Sequence, residues 1–220
     1  MWARRLLNRP LPPRVEIVQR ELDRFRRPRY LELGVNVGVT FLHVRAHLKV
    51  GVDPAQRIPR WKRLAHPNTA LRGRLVPLTS DRYFDALGED ERFDVVFVDG
   101  LHTYEQSLRD VENSLRHLAP QGVVLVHDCN PADALAGGPD PSATGDSGWN
   151  GEVWRTIVHL RATRPDLDVH VLDTDFGVGV VRRGEGGAPL AGVDAAALTF
   201  EEFAERRAEL LGLRPYEPGR

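Results

Sequence analysis

Residues 30–38 read Tyr30-Leu31-Glu32-Leu33-Gly34-Val35-Asn36-Val37-Gly38, a short apolar run that breaks at one glycine and meets a second four residues later. Tyr30 to Leu33 has the length and composition of a strand, and Val39 to His47 returns to helical spacing. A strand that turns into a helix through two glycines lets the backbone turn tightly and approach a ligand closely. The helix that follows presents its unpaired N–H groups to that ligand. Leu48 to Val52 is a second strand, closed by Asp53-Pro54. In a doubly wound sheet the acid at that position faces the hydroxyls of a ribose.

Outward from this unit, β-rich runs and amphipathic helical patterns alternate, which predicts a mainly parallel sheet with helices on both faces. Residues 13–26 precede it as a helix. Leu71 to Leu78 is a third strand, and Ser80-Asp81 opens a short helix. Phe93 to Val98 (FDVVFV) is a nearly continuous apolar run, suited to a strand buried on both faces. His102 to Leu118 is helical, Val123 to Val126 is another buried strand, and residues 130–148 are Gly-, Pro-, Asp- and Ser-rich, predicting a mobile loop. Glu152 to Arg164 is a helix. Val169 to Leu172 and Gly177 to Val181 flank Asp173-Thr174-Asp175-Phe176 as a hairpin, residues 199–211 form a charged helix, and the tail after Leu213 is expected to be loose.

The 220 residues fit one α/β domain with short extensions, at 41% hydrophobic and 28% charged. We expect a helical extension at 1–27, the main domain at 28–183, and a C-terminal helix and tail at 184–220. A formal net charge of −1 argues against a nucleic-acid partner. Cys129 is the only cysteine, which excludes an internal disulfide and a cysteine-rich zinc cage. Met1 to Leu7 lacks the apolar core of a signal peptide, and no stretch has the ~20 apolar residues of a membrane span, so a cytoplasmic protein with no membrane partner is expected. Self-association into a homo-oligomer is left open.

The dinucleotide fingerprint G-x-G-x-x-G is absent, because Asn36 stands where its second glycine belongs. Glu32, Gly34 and Gly38 instead match E-x-G-x-x-x-G. In this the chain resembles class I S-adenosylmethionine-dependent methyltransferases. The resemblance implies a Rossmann-like seven-stranded sheet, parallel with an antiparallel last strand, which suits the closing hairpin. It also implies that Glu32 lies near the methionine amino group, that Asp53 holds the ribose, and that Ser80 contacts the adenine side. The rival role for Ser80 is a plain helix N-cap. Glu32, Gly34, Asn36, Gly38, Asp53, Ser80 and Asp99 are thus the candidate cofactor residues.

The fourth strand ends in Asp99-Gly100-Leu101-His102 and the fifth in His127-Asp128-Cys129-Asn130. Strand ends beside the switch point are where such sheets hold ligands, so the two aspartates should converge. Two carboxylates suit a hard divalent cation such as Mg²⁺, which lowers the pKa of a bound hydroxyl. His102 is the candidate general base, its rival being a solvent-facing helix start. The D-G-x-H and H-D pair resembles metal-dependent sugar O-methyltransferases of antibiotic pathways, in which Asp99 and Asp128 match metal-binding acids and His102 the base. His127 stands where those enzymes have an acid, so His127, Asn130 or water is left as third ligand. Trp149 is a candidate to stack on a sugar or cover the pocket, Asn150 to hydrogen-bond a hydroxyl, and Tyr104 to line the pocket. Alternatively, Asn150 caps the next helix and Trp149 packs on its first turn. Asp-Pro-Pro-Tyr-type motifs of amino-methylating enzymes are missing after the fourth strand. The expected reaction is methylation of a sugar or natural-product hydroxyl. The alternatives are a metal-independent methyltransferase, a nicotinamide oxidoreductase and a non-catalytic scaffold.

Overall fold

The computed structural model describes residues 11–143, 148–187 and 189–219. In chain order the helices and strands are α1 (Pro13–Leu22), β1 (Arg29–Leu33), α2 (Val39–His43), β2 (Leu48–Val52), α3 (Arg60–Ala65) and α4 (Pro67–Arg72). Then come β3 (Gly73–Val76), α5 (Ser80–Asp85), β4 (Phe93–Val98), α6 (Tyr104–Arg116) and β5 (Leu118–Val126). The chain closes with α7 (Val153–Thr163), β6 (Leu167–Asp173), β7 (Val178–Arg183), α8 (Phe200–Leu211) and β8 (Leu213–Pro215).

The strands form one eight-stranded sheet in the order β3-β2-β1-β4-β5-β7-β6-β8. Strands β1 to β5 pair in parallel, and β7 runs antiparallel to both β5 and β6. The chain winds outward from β1 to β3 and then returns to lay β4 against the other side of β1. That reversal leaves a crevice at the carboxyl ends of β1 and β4. Alternation along the strands sorts the core into two faces. Leu31, Leu33, Val96, Val98, Val124 and Val126 pack on one side with Trp154 and Ile157 of α7. Tyr30, Val95, Phe97, Val123 and Leu125 pack on the other with Ile17, Val18 and Leu22 of α1 and Phe41 of α2. Helix α8 is opened by a capping box between Thr199 and Glu202.

The eighth strand lies in the tail expected to be loose. Gly212, left-handed at φ 56°, turns the chain out of α8 so that Leu213–Pro215 runs beside β6. The third strand is shorter than expected because Pro67–Arg72 are helical, with Thr69 as the helix's buried residue. The 130–148 segment is tied down where it is described: Ala136 is buried, its carbonyl accepts Asn150 N–H, and Gly137 O accepts Trp154 Nε1. The expectation about Met1 to Leu7 lies outside the described residues.

Gly34 shows what the β1–β4 crevice demands. At φ +85° it sits so close to the next strand that an added Cβ would lie 1.9 Å from the Asp99 carbonyl oxygen. Gly192 has a similar φ of +87° but open space around it. Gly34→Ala is therefore expected to cost about 3 kcal/mol or more, and Gly192→Ala only about 1 kcal/mol, in the unfolding free energy read from urea titrations.

Candidate active site

The crevice holds a cavity of about 850 Å³ lined by Glu32, Gly34, Asn36, Asp53, Ser80, Asp99 and His102, with Arg14, Arg57, Gln106 and Asp110 among the others. That volume lies within the usual range of small-molecule sites. Asp53 is held by two backbone donors, Asn36 N–H to Oδ2 and Ala55 N–H to Oδ1, each at 2.7 Å. It thereby ties the loop after β1 to the loop after β2. Asn36 adopts φ 45°, and its side-chain oxygen accepts the Arg57 guanidinium. Gly38 does not line the cavity; it is the left-handed N-cap of α2, packed against Ile58.

Glu32 is 2% exposed and accepts the Tyr30 hydroxyl at 2.6 Å. Burial outweighs that hydrogen bond, and the Asp99 charge adds to it, so the carboxyl titrates near 8 instead of 4.5. Beneath it, Lys49 is fully buried; its ammonium donates to Val44 O and Thr69 Oγ1 at 2.8 Å and to Phe41 O. At the opposite end, Thr79 rather than Ser80 caps α5. The Ser80 hydroxyl instead accepts Gln106 Nε2 at 3.2 Å, and the same amide donates to the buried Asp110.

The carboxyl ends of β4 and β5 bring Asp99, His102 and Asp128 together, with one donor atom from each within 4.8 Å of the others. His102 Nε2 is 3.4 Å from Asp99 Oδ1 and 3.4 Å from Asp128 Oδ2. Burial disfavours its charged form, but the Asp99 contact and the Asp128 charge outweigh burial and raise its pKa. Burial likewise works against ionised Asp99, yet the two neighbouring histidines hold its pKa well below the usual range. Asp128 is itself left-handed, at φ 62°, which swings its carboxylate off the strand line.

His127, expected as a metal ligand, sits among three acids. Nδ1 lies 3.0 Å from Asp128 and 3.4 Å from Asp99, while Nε2 lies 3.6 Å from Asp175. Against the cost of burial, these acids push its pKa up to about 12. Arg14 Nη1 also lies 3.3 Å from Nε2. Asp175 is also bonded by the Arg14 guanidinium and the Arg14 backbone N–H, which fastens the start of α1 to the site. Asn130 turns away, with its amide on Asp173 and its oxygen on Arg207.

Asn150 caps no helix; it is 1% exposed and donates to Asp128 Oδ1. Trp149 stacks on His102, with centroids 5.3 Å apart and planes at 26°, and its Nε1 donates to Gly138 O. Tyr104 does not line the cavity; its hydroxyl pairs with His159 at 2.8 Å. Arg14, Asp175 and Asp110 escaped the sequence reading. Only the run Asp173-Thr174-Asp175-Phe176-Gly177 hinted at one of them, as the turn that places Asp175 and Phe176 at positive φ.

Residues 31–129 match a family model described as a methyltransferase domain. Over that stretch the chain is similar to methyltransferase domains. Among solved structures, the O-methyltransferase TomG of Streptomyces achromogenes, involved in tomaymycin synthesis and bound to SAM, is similar with a TM-score of 0.57 at 17% identity, over 78% of this chain and 79% of that one. An O-methyltransferase of Bacillus cereus in complex with SAH gives 0.56 at 14% identity, over 80% and 83%. The SAH-bound methyltransferase PaMTH1 of Podospora anserina gives 0.52 at 20%, over 77% and 76%. At such identities the likeness is one of fold. The uncharacterized protein y4gI of Sinorhizobium fredii is 32% identical over 133 residues, 58% of this chain and 12% of y4gI, so the chain spans a small part of that relative's length.

Two outcomes are expected. Asp175→Asn keeps a residue that tolerates positive φ but removes the charge shared by Arg14 and His127; it should cost about 2 kcal/mol or more in urea unfolding. Because Glu32 titrates near 8 when folded and near 4.5 when unfolded, the folded chain holds the extra proton between those values. Its contribution to stability is present below the lower value and is lost as pH rises toward the upper one. Denaturation at a series of pH values should show that decline in the native protein and a flatter profile in Glu32→Gln.

Proposed function

We propose that the protein transfers the methyl group of S-adenosylmethionine to a hydroxyl of a sugar or natural product, with help from a divalent cation such as Mg²⁺. The observation that carries this reading is the convergence of Asp99, His102 and Asp128 at the end of the cavity that Glu32, Gly34 and Asp53 line. The donor set fits such a cation: two carboxylates, one of them held by Asn150, beside His102. When bound, the cation would polarise the acceptor hydroxyl.

The residues divide the remaining tasks. In this reading Asp53 accepts the ribose hydroxyls of the donor, Glu32 faces its ammonium, and Ser80 with Gln106 meets the adenine end. Asp99 and Asp128 hold the cation, and His102 takes the acceptor's proton as the oxygen attacks the sulfonium methyl. Trp149 covers the His102 ring and shields that end from water. Catalysis is then mainly positioning. The domain responsible is 28–183, with α1 and α8 packed on it. The resemblance to sugar and natural-product enzymes supports the acceptor class, and TomG's tomaymycin connection accords with it.

A second reading keeps His102 as base without a cation. It is favoured by Nε2 lying 3.4 Å from both carboxylates, which would stabilise the imidazolium formed when the ring takes the acceptor's proton. Chelation separates the two: turnover lost in EDTA and restored by Mg²⁺ supports the first reading, and turnover unchanged supports the second. Under the first, Asp128→Ala should lower kcat about 100-fold or more while leaving SAH affinity within a few-fold in calorimetry. Asp53→Ala should instead weaken SAH binding about tenfold to 100-fold.

A further inference from the structure

Far along the sheet from the carboxylates, α3 and α4 form a surface whose composition the catalytic reading does not use. No residue of α3 is buried, so its apolar side chains hold nothing together. Trp61 is 66% and Leu64 67% exposed, and with a spacing of three they share one face of the helix. Helix α4 contacts α3 and is anchored by the buried Thr69, which accepts Lys49. Leu71, two residues on and therefore on the opposite side of the helix, is 81% exposed.

The charges carried by this segment are all of one sign. From Ala55 to Ser80 the sequence holds Arg57, Arg60, Lys62, Arg63, Arg72 and Arg74 and no acid. The chain as a whole is close to neutral, so its charge is segregated here. Among the described residues, Arg60, Lys62, Arg63, Arg72 and Arg74 make no ion pair with a carboxylate. Lys62 lies over the Trp61 ring, 5.8 Å from its centroid.

We infer that α3 and α4 form a docking surface for an anionic lipid bilayer, with Trp61, Leu64 and Leu71 entering the interfacial layer and the flanking cations meeting its headgroups. Charge complementarity demands an anionic partner, which argues against a second copy of the same cationic face. Side chains exposed by two thirds or more stand out of the surface and line no groove. Projecting apolar tips ringed by cations suit a deformable interface, whereas a protein partner needs a shaped patch of ~800 Å². The sequence expectation of no membrane partner rested on the lack of a spanning segment. No helix among the described residues is long and apolar enough to cross a membrane, and surface docking needs none. Arg57 lines the cofactor cavity, so a docked bilayer would lie beside its mouth.

The 220-residue chain tests this in sedimentation with vesicles of phosphatidylcholine alone and of phosphatidylcholine containing about one third phosphatidylglycerol. Binding is expected to the anionic vesicles only, to weaken with salt, and to shift Trp emission to the blue. Trp61→Ser/Leu64→Ser and Arg60→Gln/Arg63→Gln should each reduce partitioning about tenfold or more while SAH affinity stays unchanged as the control for folding. Absence of binding to anionic vesicles at low salt overturns the proposal, as does binding that both double variants retain. Dimerisation in light scattering that the Trp61→Ser/Leu64→Ser variant abolishes, without vesicle binding, would assign the surface to a second copy instead.

Discussion

Two carboxylates placed at the ends of neighbouring strands repel each other, and much of the site is built around that constraint. Asp99 and Asp128 cannot avoid proximity, because β4 and β5 are paired in register up to Val98 and Val126. Burial, nearly complete for Asp128 and partial for Asp99, thins the water that would screen them. Compensation comes from every side: His102 between them, His127 beneath them, and the Asn150 amide on Asp128. His127 in turn needs Asp175, and Asp175 is balanced by Arg14. A line of alternating charge therefore runs from the chemical end of the cavity to the first turn of α1. In the proposed function a divalent cation joins this pattern where Asp99 faces the cavity and Asp128 stands beside it.

The same sheet edge separates two kinds of acid. Glu32 lies on β1, where burial outweighs the Tyr30 hydroxyl and the Phe41 backbone N–H that donate to it, and so keeps its proton to near 8. Asp99 lies one strand over, beside two histidines, and ionises readily. A difference of partners, not of residue type, gives one position a carboxyl that ionises when a cationic ligand group approaches and the other a permanent anion. This division suits a substrate that carries an ammonium at one end and reacts at the other.

Much of this architecture is legible along the chain because it depends on local patterns. The FDVVFV run announces a strand buried on both faces, the glycines at 34 and 38 announce a sharp strand-to-helix turn, and aspartates at strand ends mark the sheet's ligand edge. What stays hidden depends on distant contacts. Arg14 and Asp175 are 161 residues apart, and nothing local marks either as the other's partner. Asn150 and Tyr104 sit at helix starts, where capping and pocket lining are equally plausible; only the fold shows one turned to Asp128 and the other to His159. Strand β8 is three residues long and exists because β6 offers it an edge. Helices α3 and α4 are too short for periodicity to reveal, and their apolar residues face outward, contrary to the rule by which such patterns are read.

The claim on which the rest depends is that Asp99 and Asp128 together hold one divalent cation. Titrating the protein with Mn²⁺ while following the electron-paramagnetic signal of the free ion measures this without any acceptor. The account predicts one site per chain, displaced by Mg²⁺ and absent from Asp99→Asn and Asp128→Asn variants that still bind SAH. A native protein that leaves the free-ion signal untouched, or variants that bind Mn²⁺ as the native chain does, would contradict it.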